Sequence, residues 1–453
     1  MLFNLNLLFN TGVAVTDHSD IPDGFKATEL GVLPVEWNIG KLNQVGGLVR
    51  GVSYKETDLS EEYQSGFLPV LRAMNIQAGR LDLFNDLVFV RTEKISEKQM
   101  LKSGDIVIAM SSGSKSVVGK AAQLDNNWDG SFGAFCSCFR PQSDTINKEF
   151  IGFLFQTIAY REYIEKSAGG TNIKNLKIPH ILNYPIPLPP LPEQHAIAAT
   201  LRSVQEAKEK TDAVIAATKT LKAAMMKHLF TYGPVPTEEA ENVALKETEI
   251  GLIPERWQIT RLKEISKIFS GGTPSKENKK FWIGNIPWVS PKDLKSLKLS
   301  DVVDHISEEG LSSGSRLVPK DTIFIVIRGM ILIRDVPVTI ITRPMAFNQD
   351  LKAICANPKI DPLYLLYAIS QFKLNLIPEI GTSAHGTKRI GTSAIENFIV
   401  PIPSESEQGI IVDMLESIEK KLNTEQSRTE ALDILFKSLL HDLMTAKKRI
   451  IND

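Results

Sequence analysis

The chain has 453 residues, which is room for two or three domains, and 43% hydrophobic with 23% charged residues is the composition of a soluble globular protein. Its formal net charge of −1, taken alone, argues against a nucleic-acid partner. No apolar run reaches the roughly 18 residues that a membrane helix needs, and the N-terminal MLFNLNLLFN lacks a basic leader, so we expect neither a membrane protein nor a signal peptide.

The distribution of charge differs from the total. Residues 1–190 carry 18 Lys and Arg against 20 Asp and Glu, whereas residues 246–404 carry 21 against 16. The second half of the chain can therefore present a basic face. Three cysteines, Cys136, Cys138 and Cys355, suit a reducing cytoplasm, and we expect Cys136 and Cys138 to share the core face of a strand rather than to bind a metal.

Two stretches near the start of each half match at a constant offset of 220 residues. TELGVLPVEWNIGKLNQV at 28–45 aligns with TEIGLIPERWQITRLKEI at 248–265, and Trp37 falls on Trp257. Both tryptophans are expected to anchor a domain core. A second match at an offset of 214 aligns IPLPPLPEQ (186–194) with VPIPSESEQ (400–408). Two fixed offsets indicate an internal duplication with small gaps.

Several loops inside the blocks combine glycine or hydroxyl side chains with cations, which suits contact with a phosphate backbone. The alternative for each is a solvated turn. These loops include GGTPSKENKK (271–280), the segments after the β-branched strands predicted within 101–122 and 317–336, SAGGTNIKNLKI (167–178) and GTSAHGTKRIGTSAI (381–395). At the offset of 214, Lys174 falls on Lys388. The candidate DNA-contacting residues are Lys115, Thr171, Asn172, Lys174, Lys276, Lys279, Lys280, Arg328, His385, Lys388 and Arg389.

A helical pattern follows each proline-rich junction. Apolar residues recur at spacings of three and four, as in a coiled-coil seam, with polar residues near the middle. The predicted seam residues are Ile197, Leu201, Val204, Ile215, Met225 and Leu229 in the first copy, and Ile411, Leu415, Ile418, Leu422, Leu432, Phe436, Leu439 and Leu443 in the second. Each helix of about 40 residues would be about 60 Å long, so the two copies are expected to pack together.

The order of block, helix, block, helix predicts an antiparallel helix pair. The first helix ends where the second block begins, and the second helix starts where that block ends. The predicted fold is α+β, with two similar mixed α/β domains separated by two long antiparallel helices and related by a pseudo-two-fold repeat. The predicted segments are an N-terminal extension (1–25), a first domain (26–190), a first helix (191–233), a linker (234–245), a second domain (246–403) and a second helix with the tail (404–453).

Catalytic motifs are absent from the sequence. The chain has no phosphate loop, no HExxH, no clustered Cys and His ligands and no Asn/Asp-Pro-Pro-aromatic tetrapeptide of adenine methyltransferases. We therefore expect no catalytic, cofactor or metal site in this chain.

The motifs together resemble the specificity subunit of type I restriction-modification systems. GGTPS…FWIGNIPWVSPKDL, LPVLRAMNI, KSGDIVIAMSSGS…VGKAA and PIPLPPLPEQHAIAATL carry the resemblance, which extends from about residue 28 to 450. It implies two target-recognition domains, each reading one half of a split, asymmetric double-stranded DNA target. PSESEQ departs from the fuller PPLPEQ in the second copy, and residues 1–25 have no counterpart in the repeat.

The resemblance also implies partners. The helices would set the gap between the half-sites and bind modification (methyltransferase) subunits, two of them, and ATP-dependent restriction subunits would join the complex. S-adenosylmethionine, ATP and magnesium would be bound by those partners. A length of about 60 Å corresponds to about 18 base pairs as an upper bound on the separation.

Two other functions remain open from the sequence. A two-headed, non-catalytic scaffold could bind proteins only, which the near-zero net charge favours. The chain could also be the recognition half of a single-chain restriction-methylation enzyme, if such an enzyme had been truncated.

Overall fold

The computed structural model describes residues 21–77, 79–114, 116–167, 175–382 and 386–450. The chain forms two compact units, the first from Met1–Thr211 with Arg428–Asp453 and the second from Asp212–Ser427. Each unit thus contains one block and part of both long helices, because the helix ends are buried in the core of that block. Within the described ranges, no helix is both long and apolar enough to cross a membrane.

The first unit combines short strands with three short helices and parts of two long helices. Its strands are β1 (Phe25–Thr28), β2 (Gly31–Pro34), β3 (Asn38–Lys41), β4 (Gly46–Arg50), β5 (Leu59–Ser60), β6 (Phe67–Leu71), β7 (Ile76–Gln77), β8 (Arg80–Leu81), β9 (Val88–Arg91), β10 (Ile106–Ala109), β11 (Ala121–Gln123), β12 (Ser131–Phe132), β13 (Cys136–Pro141) and β14 (Pro185–Leu188). Its helices are α1 (Lys148–Leu154), α2 (Ile158–Ser167), α3 (Ile178–Leu182), the first part of α4 (Leu191–Tyr232) and the last part of α9 (Glu405–Met444).

Two four-stranded sheets form the centre of the first unit. One has the order β11-β10-β13-β4 and the other β12-β6-β9-β5. All four residues of β10 are buried, as the β-branched sequence IVIA predicts for a central strand covered on both faces. Cys136 and Cys138 lie on β13 with 1% and 0% of their surface exposed, and both join the same apolar cluster. They are core residues, as the sequence predicted.

The second unit has the corresponding elements. Its strands are β15 (Leu245–Thr248), β16 (Gly251–Pro254), β17 (Gln258–Arg261), β18 (Ser266–Ser270), β19 (Ile286–Val289), β20 (Lys298–Leu299), β21 (His305–Ile306), β22 (Leu317–Val318), β23 (Ile323–Val326), β24 (Val338–Ile341), β25 (Met345–Phe347), β26 (Leu351–Ala356), β27 (Ile380–Thr382), β28 (Lys388–Ile390) and β29 (Ile399–Ile402). Its helices are α5 (Leu262–Ile265), α6 (Glu308–Ser312), α7 (Pro362–Phe372), α8 (Thr392–Glu396) and parts of α4 and α9 (Glu405–Met444).

The sheets repeat between the units. The second unit has a five-stranded sheet in the order β18-β26-β23-β24-β20, which reproduces the first sheet and adds β20 at one edge. β6 pairs in parallel with β12, and β19 pairs in parallel with β25. β3 pairs with β14 as β17 pairs with β29. The duplication read from the sequence is therefore a duplication of strand topology.

The long helices pack antiparallel in each unit. In the first unit Glu193 near the start of α4 contacts Arg449 just beyond α9, while Lys208 further along α4 contacts Asp433. In the second unit Lys222 pairs with Glu419, and Leu229 shares a core cluster with Ile411. In both cases a later position on α4 faces an earlier position on α9.

Two segments differ from the sequence prediction. The sequence KEFIGFLFQTIAY at 148–160 favours one short helix, whereas the structure has two helices in this region, α1 and α2. The stretch 381–395, expected as a loop, contains strand β28 and helix α8, and β27 pairs with β28 through Ile380 opposite Ile390. A glycine-rich composition suggested a loop, but β28 pairs with β27, and the N–H of Ile390 donates to the carbonyl of Ile327 at the end of the central sheet.

Candidate nucleic-acid interface

One end of the five-stranded sheet in the second unit collects positive charge. Strand β23 finishes at this end and leads into Arg328, and strand β26 begins there with Leu351 and Lys352. The hairpin strand β28 brings Lys388 and Arg389 to the same end, since Arg328 bridges to Arg389 and the N–H of Gly329 donates to the carbonyl oxygen of Lys388 at 3.0 Å. Cations far apart in sequence thus collect at one end of the sheet, which we call the basic sheet end (Arg328, Lys352, Lys388 and Arg389).

The basic sheet end is only partly neutralised by its own neighbours. Arg328 Nη1 lies 3.6 Å from Asp350 Oδ1, and Lys388 Nζ donates to the hydroxyl of Thr382 at 2.9 Å. Arg328 and Arg389 lie opposite each other on paired strands, where like charges repel. An anion placed between the two guanidinium groups would relieve that repulsion.

Lys352 is a cation that the sequence reading did not select. Only 8% of the surface of Lys352 is exposed, and its Nζ donates to Ser270 Oγ at 2.7 Å. Burial lowers the pKa of the Lys352 ammonium, Glu396 opposes this shift, and the positive charge of Arg389 adds to it. Because Lys352 occupies a strand, its sequence context gave no sign of a site. Only strand pairing places it beside Arg389.

A further cation and a polar contact lie next to the residues of the basic sheet end. Arg316 stacks on the ring of Phe269, 5.1 Å from the centroid, and Phe269 precedes the Ser270 partner of Lys352. Thr273 Oγ1 donates to Gln349 Oε1 at 2.5 Å, next to Asp350. Arg316 was also not predicted, since it stands alone in sequence.

The three lysines of GGTPSKENKK lie on a loop that ends in the 3₁₀ turn Lys279–Trp282. Lys276, Lys279 and Lys280 are exposed, and the Asn278 side chain accepts a hydrogen bond from the N–H of Lys280 at 3.1 Å. Trp282 holds this loop by stacking edge-on against Trp288 of β19, with ring centroids 4.9 Å apart. The loop is therefore ordered by the other sheet of the second unit.

The first unit has the same backbone geometry with different side chains. Ser111 bridges to Asn175 in the first unit, as Arg328 bridges to Arg389 in the second. The N–H of Met110 donates to the carbonyl of Phe135 at 2.8 Å, and in the second unit the N–H of Ile327 donates in the same way to the carbonyl of Asp350. Phe135 is 69% exposed, so an aromatic ring replaces the Asp350 carboxylate. Equivalent backbone positions thus present hydroxyl, amide and aromatic groups in one unit and charged groups in the other.

Comparison with known proteins identifies the family. The family model described as the Type I restriction modification DNA specificity domain matches residues 34–216 and 254–433, about four-fifths of the chain. The chain belongs to this DNA specificity family.

Relatives of this specificity-family chain differ in how much of it they match. The chain is 42% identical over 183 residues to the type I restriction enzyme EcoKI specificity subunit of Escherichia coli K12, and that match spans 40% of this chain and 39% of the relative. It is 25% identical over 446 residues to the putative type I restriction enzyme MjaX specificity subunit of Methanocaldococcus jannaschii, which covers 94% of this chain and 97% of the relative.

A solved structure has the same fold. The type I restriction-modification system S subunit from M. genitalium superposes with a TM-score of 0.58 at 18% identity, over 90% of this chain and 96% of that chain. At that identity the likeness concerns the fold.

The predicted seam residues of this specificity-family chain lie on α4 and α9, and each is buried or half-buried. Ile197, Leu201 and Leu443 belong to the core cluster of the first unit, and Phe436 and Leu439 pack against it. Leu229, Ile411 and Leu415 belong to the core cluster of the second unit, and Met225 packs against it. Both clusters extend into the β-strand blocks, so these residues bury helix against domain as well as helix against helix. The other predicted seam residues are Val204, Ile215, Ile418, Leu422 and Leu432.

Five predicted DNA-contacting residues lie outside the residues that the structure describes. These are Lys115, Thr171, Asn172, Lys174 and His385. Asn175, the next residue after Lys174, is described, and it bridges to Ser111 as Arg389 bridges to Arg328. Asn175 and Arg389 are 214 residues apart, which is the offset found in the sequence. Within the described ranges, no three His, Cys, Asp or Glu side chains lie together as metal ligands would.

Proposed function

We propose that this chain is the sequence-specific DNA recognition subunit of a type I restriction-modification complex. Each unit reads one half of a bipartite, asymmetric target in double-stranded DNA. Base edges are distinguishable in the major groove, so we place the sheet ends of both units there.

One observation carries the proposal: the two units share a framework and carry different side chains at an equivalent bridge between strands. Sheet order and strand pairing repeat, yet Arg328 and Arg389 stand where the first unit has Ser111 and Asn175. A scaffold that only bound proteins through its helices would give no reason for this difference. Two readers of different half-sites would require it, because specificity resides in side chains that reach base edges.

The remaining chemistry belongs to partners. Modification subunits, two per chain, would dock on the long helices and supply S-adenosylmethionine chemistry. Restriction subunits would supply ATP- and magnesium-dependent steps, and the chain itself would be non-catalytic and cytoplasmic. The buried, reduced cysteines Cys136 and Cys138 suit that location.

Methylation mapping tests the proposal. The chain and its modification subunits are expressed in a host without adenine methylation, and methyladenines are mapped genome-wide. We expect one asymmetric motif with two specified half-sites and an unspecified gap of constant length. Equal affinity of the purified complex for random and for target DNA would instead favour the protein-only scaffold.

We further propose that the helices fix the length of the gap. Adding four residues to the polar middle of both helices adds about 6 Å of helix at 1.5 Å per residue. The mapped gap should then change while both half-sites stay the same. Altered half-sites with an unchanged gap would contradict this role.

A further inference from the structure

A short turn beside the basic sheet end exposes large apolar side chains. In the 3₁₀ turn Met330–Ile333, Met330 and Ile333 are each 59% exposed and Ile331 is 42% exposed, whereas Leu332 is 3% exposed and anchors the turn in the core. Single exposed apolar residues are ordinary, but three within four positions form a patch that water solvates poorly. We call this segment the apolar turn.

The backbone holds the apolar turn in a fixed position. Gly329 precedes it with φ of +144°, a conformation that other residues rarely adopt, and its N–H bonds to Lys388. The N–H of Asp335 donates to the carbonyl of Ile331 at 3.0 Å, and the Asp335 carboxylate pairs with Lys373 at 2.5 Å. The exposed side chains are therefore presented on a rigid support adjacent to Lys388.

The surroundings of the apolar turn favour a polyanion as its partner. Met330 and Ile331 line an open groove of about 930 Å³ in the second unit. Its charged lining residues are Lys219, Lys222, Lys292, Lys295, Lys373 and Asp335. Lys222, Lys292 and Lys373 pair with Glu419, Asp304 and Asp335, so Lys219 and Lys295 contribute most of the positive charge. On the other side, the turn adjoins the basic sheet end through Gly329 and Lys388. Apolar side chains between two sets of cations suit duplex DNA, which carries phosphates outside and thymine C5-methyl groups in the major groove.

The first unit supplies an internal comparison. Both units follow the central strand with a loop of equal length, since Ile108 faces Ala121 in the first unit and Ile325 faces Val338 in the second. The first unit fills that loop with serines. Ser112 Oγ accepts from the N–H of Ser114 at 3.2 Å, and the hydroxyls of Ser114 and Ser116 are 2.9 Å apart. The same backbone position thus offers hydrogen-bonding groups in one unit and apolar groups in the other.

We infer that Met330, Ile331 and Ile333 are specificity-determining residues that contact thymine methyl groups in the half-site read by the second unit. This inference rests on the proposed function. It assigns to the second unit a half-site with at least one A·T pair that is recognised through the thymine methyl.

The test replaces single thymines by deoxyuridine, which lacks only that methyl group. The full-length chain with its modification subunits is titrated with duplexes that carry the mapped target or one substitution at a time. At one or more positions in the second unit's half-site, deoxyuridine should weaken binding about fourfold, the effect of losing one buried methyl or methylene contact. For Met330→Ser or Ile331→Ser, the ratio between the affinities for thymine and deoxyuridine duplexes should fall to one at the position that the replaced side chain contacts.

Matched variants keep the result interpretable. Ile331→Val should retain most of the discrimination, and Val303→Ser, at an 87% exposed site elsewhere in the same unit, should retain all of it. Thymine substitutions in the first unit's half-site should respond equally in all variants. Because Met330 and Ile331 are exposed, their replacement leaves the buried Leu332 anchor in place.

Each failure has a distinct signature. A wild-type complex that binds target and random DNA equally would reject the proposed function itself. A specific complex whose serine variants keep the wild-type ratio at every position would overturn only the methyl contact, as would a half-site without thymine. Serine variants that keep the ratio but lose the modification subunits would make the apolar turn a protein-docking surface, which also overturns the inference.

Discussion

Trp37 donates its indole N–H to Glu193 Oε2 at 2.9 Å, joining a core aromatic residue to the first turn of α4. Trp257 donates in the same way to Glu407 Oε1 at 3.2 Å in the second unit. An arginine also donates a hydrogen bond to each carboxylate, Arg449 in the first unit and Arg256 in the second. The pairing of Trp with Glu in both repeats therefore ties the start of each long helix to its domain.

The hydrogen-bonded Glu407 carboxylate should make the stability of the second unit sensitive to acid. Burial alone would raise the pKa of Glu407, but hydrogen bonds from Arg256, Trp257 and Ser404 outweigh it and hold the pKa below the usual 4.5. A carboxylate whose pKa is lower in the folded than in the unfolded state stabilises the fold at any pH above its unfolded pKa. This stabilisation is lost as the pH falls through the pKa of the folded state. Glu407→Gln should therefore flatten the loss of stability below about pH 4.5.

Denaturant unfolding between pH 3 and 7 measures this effect. Glu405→Gln, at an exposed carboxylate on the same first turn, is the matched control and should leave the pH profile unchanged. If the free energy of unfolding depended on pH identically in Glu407→Gln and in the unmodified chain, the hydrogen bonds of Glu407 would not contribute to stability in acid.

Gln408 should be a structural residue of the junction. It is 2% exposed, its Oε1 accepts from the N–H of Asp361 at 2.9 Å, and its Nε2 donates to the carbonyl of Pro403 at 3.3 Å. Gln408→Ala leaves two buried polar groups without a partner and should lower the free energy of unfolding by about 1–3 kcal/mol. Gln426→Ala, at an exposed site on the same helix, should change it little, and equal effects of the two variants would argue against the junction role.

Leu201 tests whether the helix is part of the domain core. Its side chain is fully buried in the core cluster of the first unit, whereas Leu221 on the same helix is 52% exposed. Leu201→Ala should cost about 2–5 kcal/mol of stability because it leaves a cavity. Thermal unfolding of Leu201→Ala and Leu221→Ala should differ clearly, and similar midpoints would exclude tight packing at Leu201.

Lys388 should contact DNA phosphate rather than bases. Lys388→Ala is expected to weaken binding to target and random DNA alike and to reduce the salt slope by about 0.9. Lys359→Ala, beyond the opposite end of β26, should leave the slope unchanged. Titrations of both variants at several salt concentrations measure this, and an unchanged slope for Lys388→Ala would remove β28 from the interface.

The amino-acid sequence by itself determined the duplication, the two long helices and the buried Cys136 and Cys138. Such features are written in local order: fixed offsets repeat residue by residue, and a three-four spacing places apolar groups on one helix face. The partnership of Trp37 with Glu193 could not be read in this way, since 156 residues separate them.

Only the tertiary structure decided how the basic sheet end is assembled. Lys352 sits in a strand opposite Ile325, and Arg389 lies in a segment that resembled a loop and bridges to Arg328, so strand pairing brings all three to one end of the sheet. It also decided that Leu332 is buried while Met330, Ile331 and Ile333 are exposed, although all four are apolar. Burial depends on which neighbours cover a side chain, and those neighbours come from distant parts of the chain.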